Sequence, residues 1–109
     1  MNISPPPQLL ADARVLAYAG IDDSIQFTGK LRLYAGDVLV GRVPRLAICE
    51  ILDEEPAELV VCHCDEHWNV VGIQGWNGPA ATPPRSLEEV KLLMEKYYRG
   101  SSGSWRAVP

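Results

Sequence analysis

The strongest constraint on the fold of this chain comes from two neighbouring segments, residues 46–52 and 59–64. Their side chains are apolar on both faces that an extended strand would present. The two segments flank a short acidic loop that contains Pro56, a pattern typical of a β-hairpin. A strand with one solvated face alternates apolar and polar residues, whereas these segments are apolar at almost every position. Residues 68–76 continue the same pattern. The three segments therefore predict antiparallel strands that are covered on both sides.

One helix is predicted near the C-terminus, over residues 86–99. Ser86 and Glu89 have the spacing of a capping box at the start of the helix. Gly100 follows its end, at the position where a left-handed capping residue is common. One helical stripe is apolar, formed by Leu87, Val90, Met94 and Tyr97. A single helix covers one face of a sheet, so the N-terminal segment, a curl of the sheet or a second subunit must cover the other. We expect a homodimer, because closed symmetric pairs are the commonest oligomers.

Turn residues divide the first half into further strands at 15–19, 25–33 and 38–43, of which 25–33 has the clearest alternation of apolar and polar side chains. The expected fold is α+β: an antiparallel meander of about five or six strands with one C-terminal helix packed across one face. We divide the single domain into a proline-rich N-terminal segment (1–11), the sheet (12–76), a proline-rich crossing (77–85), the helix (86–99) and a tail (100–109). The tail is expected to fold back and insert Trp105.

Composition and charge limit the possible partners. The chain has 10 Lys and Arg against 14 Asp and Glu, a net charge of -4, which argues against a nucleic-acid partner. Its apolar stretches are much shorter than the roughly 20 residues that span a membrane. Three cysteines and the absence of a secretory signal pattern fit a reducing compartment, so we expect a cytoplasmic protein.

The cysteines and histidines of the second half form the most suggestive chemical pattern. Cys62 and Cys64 fall on one face of a strand, and the hairpin brings Cys49 opposite them, with His67 near the strand end. Four such ligands suit zinc, but structural zinc sites space their cysteine pairs by two to four residues. Cysteine is also among the residue types most often buried, so core packing is favoured and metal binding remains the alternative.

No cofactor, catalytic residue or enzymatic activity is expected. The chain lacks the motifs of a phosphate-binding loop and a nucleophile elbow. Cys64 and His67 are so close in sequence, at a strand end, that they rarely reach the hydrogen-bond geometry of a catalytic pair. His63 and His67 are otherwise expected as polar residues near a strand end and a turn.

Acidic residues are concentrated in one part of the chain. Residues 50–66 contain seven acids and no Lys or Arg, which leaves 10 basic and 7 acidic residues elsewhere. Such a hairpin can steer a basic protein partner, although a charged loop also protects sheet edges from aggregation. The expected contact surface consists of Glu54, Glu55, Glu58, Asp65, Glu66, Trp68 and Trp76.

The run from Cys64 and Asp65 through Trp68, Asn69 and Val70 to Gly72, followed by the capped helix, resembles a pattern in small uncharacterised bacterial α+β proteins. The resemblance implies a compact domain and no catalytic residues. The layout of sheet and helix is similar to that of bacterial immunity proteins, which block a toxin by covering it. This similarity implies a small protein-interaction module.

Overall fold

The computed structural model describes residues 3–53, 57–76 and 82–108. It contains strands β1 (Leu9–Leu10), β2 (Ala13–Gly20), β3 (Gln26–Phe27), β4 (Tyr34–Ala35), β5 (Val38–Leu39), β6 (Arg45–Ile51), β7 (Glu58–Cys64) and β8 (Val70–Gln74), then helix α1 (Leu87–Met94), β9 (Tyr98–Arg99), a 3₁₀ helix (Ser101–Gly103) and β10 (Arg106–Ala107). No helix within these ranges has the length and apolar character needed to cross a membrane.

The expected α+β architecture is confirmed. The main sheet has the strand order β1-β2-β6-β7-β8, and β10 also pairs with β2. All of these pairings are antiparallel. Strands β3 and β9 form a separate two-stranded ladder, and β4 and β5 form a hairpin. The three segments thus lie side by side in one half of the sheet. The predicted cover on both sides is wrong for β8, where Val71 and Ile73 are exposed.

Helix α1 covers one face of the sheet. The backbone N–H of Glu89 donates to Ser86 Oγ at 3.2 Å, which satisfies one free amide at the helix start. Val90 and Met94 are fully buried against the sheet, together with Tyr98 just beyond the helix. The predicted helical stripe therefore faces the core as expected.

The opposite face is covered by the chain's own termini. Leu10 is buried there, with Ile3 and Val108 packed against the same cluster. Trp68 anchors the N-terminal segment because its indole N–H donates to the carbonyl of Ser4 at 3.0 Å. The N-terminal segment is one of the three covers considered, and it helps to bury the cluster on this face within a single subunit.

The prediction of a continuous strand over residues 25–33 is wrong, although the predicted burial of its side chains is partly right. Ile25 and Leu31 are buried, yet only Gln26–Phe27 joins a ladder, and that ladder lies outside the main sheet. Gly29 adopts a φ of 75°, which interrupts an extended strand. The predicted strand at 38–43 is likewise reduced to Val38–Leu39.

The helix ends five residues before the predicted boundary. After Met94 the backbone turns tightly, and Tyr98–Arg99 pairs with β3 instead of continuing the helix. The carboxylate of Glu95 accepts from the backbone N–H groups of Gly100 and Ser102, and the bond from Gly100 is the main cause that lowers the pKa of Glu95. Gly100 is left-handed, as expected, but it precedes the 3₁₀ helix. Trp105 does fold back onto the helix-side core.

Candidate functional site

Two turns meet at one end of the sheet. Arg14 at the start of β2 lies opposite Glu50 near the end of β6, so the β1–β2 turn and the β6–β7 turn become neighbours. Both central residues of the β1–β2 turn are left-handed, with φ of 51° for Ala11 and 66° for Asp12. Hairpin turns of this kind usually contain glycine or asparagine, so the alanine holds a locally unfavourable conformation.

Between these turns lies an open depression of about 380 Å³, which we call the acidic depression. Its apolar floor includes Ile51 and Leu52, and Leu52 is 55% exposed. Asp12 comes from the β1–β2 turn, and Asp53 comes from the β6–β7 turn. The acidic depression is lined by Ala11, Asp12, Ala13, Ile51, Leu52 and Asp53.

The carboxylates at this end differ in how they are neutralised. Glu50 pairs with Arg14 at 2.6 Å. Among the described residues, neither Asp12 nor Asp53 forms an ion pair or a side-chain hydrogen bond, and Glu58 forms none either. The acidic depression therefore combines two unneutralised carboxylates with exposed apolar surface, a combination that suits a basic and partly apolar segment.

Sequence reasoning missed Asp12. It is far from the acidic run in sequence, and it reaches the depression only through the pairing of β2 with β6. The alternating pattern of β2 and β6 predicts two strands but not that they are neighbours. Only that pairing identifies Asp12 as part of the site.

The predicted contact surface is not brought together. Glu58 and the β6–β7 turn lie at one end of β7, whereas Asp65 and Glu66 follow its other end. Seven residues of strand separate these ends by roughly 20 Å. Glu54 and Glu55 lie outside the described residues. The described acids of residues 50–66 thus form two groups at opposite ends of β7.

The two tryptophans of the predicted surface have structural roles. Trp68 is only 9% exposed, and its ring packs edge-on against Tyr18 at 5.9 Å between centroids. Trp76 is half-buried against the helix-side core, and its indole N–H donates to the carbonyl of Leu59 at 3.0 Å. Trp76 therefore lies at the same end as Glu58, whereas Trp68 cannot present its ring to a partner.

Asp65 explains the conformation of the loop before β8. Its carboxylate accepts from the backbone N–H of His67 at 2.8 Å and from both the backbone and side-chain amides of Asn69 at 2.9 Å. These bonds, those from Asn69 first, lower the pKa of Asp65. They hold Trp68 at a φ of 64° and so direct its ring into the core.

The cysteines share a buried face of the sheet, and His67 differs from them in being exposed. Cys49, Cys62 and Cys64 are fully buried on the face opposite α1, whereas the His67 side chain is 76% exposed. Within the described ranges, no group of three or more His, Cys, Asp or Glu is placed to hold a metal ion. Burial raises the pKa of Cys64 to about 12, and a hydrogen bond with Cys62 raises the pKa of Cys49.

His63 is also placed differently from the prediction. It is fully buried on the helix side of the sheet, where Nε2 donates to Gln74 Oε1 at 2.9 Å. Nδ1 has no hydrogen-bond partner among the described residues. Burial lowers the pKa of His63, and the bond to Gln74 only partly opposes that effect.

Comparisons of the chain with protein-family models, with curated proteins and with solved structures find no match. The functional interpretation therefore depends on the geometry of the acidic depression and of the sheet around it.

Proposed function

We propose that this chain is a small non-enzymatic protein-interaction module whose acidic depression binds a basic, partly apolar segment of another protein. The observation that carries the proposal is that Asp12 and Asp53, which have no ion-pair partner among the described residues, line the same depression as exposed Leu52. Two carboxylates at one site attract a Lys or Arg side chain, and exposed Leu52 gives its aliphatic stem a surface to cover. Neutralisation of a basic toxin by covering it is one form of this function.

The strand pairing beside the site supports the same proposal. The depression lies between turns at the ends of paired strands, and the Arg14–Glu50 ion pair joins those strands beside it. A surface that is formed before binding loses less conformational entropy than a flexible loop would lose. The unfavourable conformation of Ala11 is maintained by this framework.

The test uses a defined probe, a short peptide that alternates lysine and leucine. We expect it to bind the wild-type protein and to shift the backbone NMR resonances of residues that line the acidic depression. The double variant Asp12→Lys/Asp53→Lys should slow association at low salt by about tenfold or more, because steering by the carboxylates is reversed. Association rates are measured by stopped-flow fluorescence with a labelled peptide.

The matched control is Asp37→Lys/Glu66→Lys, which changes the net charge equally at two exposed positions away from the depression. We expect it to retain most of the wild-type association rate. An equal loss in both variants would show that net charge alone attracts the peptide. Failure of the wild-type protein to bind would contradict the proposal.

A further inference from the structure

The N-terminal segment is fixed to the sheet at two points. Ile3 packs on the core that contains the cysteines, and the indole N–H of Trp68 donates to the carbonyl of Ser4 at 3.0 Å. Leu10 of β1 is buried on the same core. Residues 5–7, which are consecutive prolines, span the chain between these points.

Consecutive prolines leave this stretch little conformational freedom. Each ring fixes φ at about -65° and keeps the preceding residue out of the helical region, which favours polyproline II. That helix repeats every three residues, and the exposure has the same repeat. Ile3 and Pro6 are partly buried, whereas Pro5 and Pro7 are exposed. The segment thus has an inward side that covers the core and an outward side that faces solvent.

The outward side is apolar. We call its exposed side chains, Pro5, Pro7 and Leu9, the proline ridge, and Leu9 is 51% exposed. The open depression beside the ridge has a volume of about 460 Å³ and is lined by residues 5–9, Arg14, Val15 and Val108. Covering the core requires only the inward side chains, so core packing does not account for this exposed apolar surface.

The backbone of the prolines has acceptors but no donors. Proline lacks an N–H, and among the described residues no group donates to the carbonyls of residues 5–7. A strand of another protein needs N–H donors to form a ladder, so it cannot pair here. A partner must instead donate to these carbonyls and pack on the rings. Grooves lined with Trp and Tyr do both.

Arg14 adds a positive charge beside the ridge. Its side chain is 56% exposed, and within the described part of the chain only Nη2 is hydrogen-bonded, to Glu50. A guanidinium has five N–H donors, so others remain to meet a carboxylate. The complementary groove therefore combines aromatic side chains with an acidic one.

We infer that the proline ridge is a ligand for a partner protein whose groove is lined with aromatic side chains and has a carboxylate at its rim. A segment that is ordered before binding loses little conformational entropy in the complex. The inference goes beyond the proposed function, because the depression beside the ridge and the acidic depression share no lining residue. The two proposals can therefore fail separately.

The probes are a WW domain and an SH3 domain, whose aromatic grooves bind polyproline II segments. Each isotope-labelled domain is titrated with the full chain and followed by NMR. We expect at least one domain to bind, with shifts confined to its groove, and its own proline-rich peptide to displace the chain. Binding by neither domain would overturn the inference, and so would binding that the peptide does not displace.

The variant Pro5→Ala/Pro7→Ala removes the outward rings and keeps the inward side chains, so binding should weaken by about tenfold or more. Slow reaction of its buried cysteines with an aromatic disulfide reagent shows that the segment still covers the core. The control Pro83→Ala removes an exposed proline elsewhere and should bind like the wild type. Equal binding by the double variant and the wild type would overturn the inference.

Asp12→Lys/Asp53→Lys separates the two proposals. This variant should still bind the WW or SH3 domain, although it loses fast association with the basic peptide. Loss of domain binding in this variant, with Pro5→Ala/Pro7→Ala unaffected, would place the contact at the acidic depression and overturn the inference.

Discussion

The clearest consequence at the scale of single residues concerns His63, a neutral imidazole inside the core. Its folded-state pKa lies below the ordinary value because burial penalises the charged form, while the unfolded chain binds a proton near pH 6.5. The unfolded state therefore takes up more protons as the pH falls below that value. Stability is fully present above pH 6.5 and decreases as the pH falls toward the folded-state pKa.

We expect the free energy of unfolding to fall by on the order of 1 kcal/mol between about pH 7 and pH 5, measured by urea denaturation. The lowered pKa values of Asp65 and Glu95 affect stability at lower pH. The change in stability between pH 7 and pH 5 is therefore assigned to His63. His67→Asn removes the exposed histidine and should retain the dependence, whereas His63→Gln should lose it. Equal pH dependence in the two variants would contradict the assignment to His63.

At this scale the sequence predicted residue types better than residue environments. Cys49, Cys62 and Cys64 were expected in the core, and they are fully buried. His63 and Trp68 were expected near the surface, because a polar or amphipathic residue beside a turn usually remains exposed. Their burial depends on partners distant in sequence, Gln74 for His63 and the Ser4 carbonyl for Trp68. Local pattern contains no information about those partners.

At the scale of elements, alternation predicts which side chains point inward but not which backbones pair. Residues 46–52 and 59–64 were correct as strands because an apolar two-faced segment has few alternatives to a central position in a sheet. The segment 25–33 has an equally clear alternation, yet the backbone N–H of Thr28 donates to the carbonyl of Tyr97 and the chain then leaves the ladder at Gly29. The early end of α1 has the same origin, since β9 pairs with β3.

The N-terminal segment is the element whose role is most directly testable. Ile3 packs on the cysteine-bearing core, so Ile3→Asp should detach the segment and lower the free energy of unfolding by about 1–2 kcal/mol. Detachment should also speed the reaction of the native thiols with an aromatic disulfide reagent, which is slow while they are buried.

Ser4→Asp is the matched control, because Ser4 is exposed and Trp68 bonds only to its backbone carbonyl. This variant adds the same charge one residue further along and should keep wild-type stability and thiol reactivity. If both variants react alike, the cover of the second face would have to be assigned to other residues.

At the scale of the whole molecule, two cores share one sheet. Leu46 and Ile48 of β6 belong to the helix-side core, while Ala47 and Cys49 of the same strand belong to the opposite core. Strand β7 alternates in the same way, with Val61 on one side and Cys62 on the other. Loss of either core would remove the packing of strands that the other core needs. The two cores should therefore unfold together.

Tryptophan fluorescence can test this coupling, because Trp68 lies in one core and Trp76 against the other. Two variants each retain one reporter: Trp76→Phe/Trp105→Phe keeps Trp68, and Trp68→Phe/Trp105→Phe keeps Trp76. In each variant we expect the urea midpoint from fluorescence to coincide with the midpoint from far-UV circular dichroism, since one cooperative transition changes both signals. If Trp68 fluorescence changed at a lower urea concentration than the circular dichroism, the face covered by the N-terminal segment would open first. The two cores would then be separate cooperative units, and a chain of this size would have a locally unstable face that the N-terminal segment only partly secures.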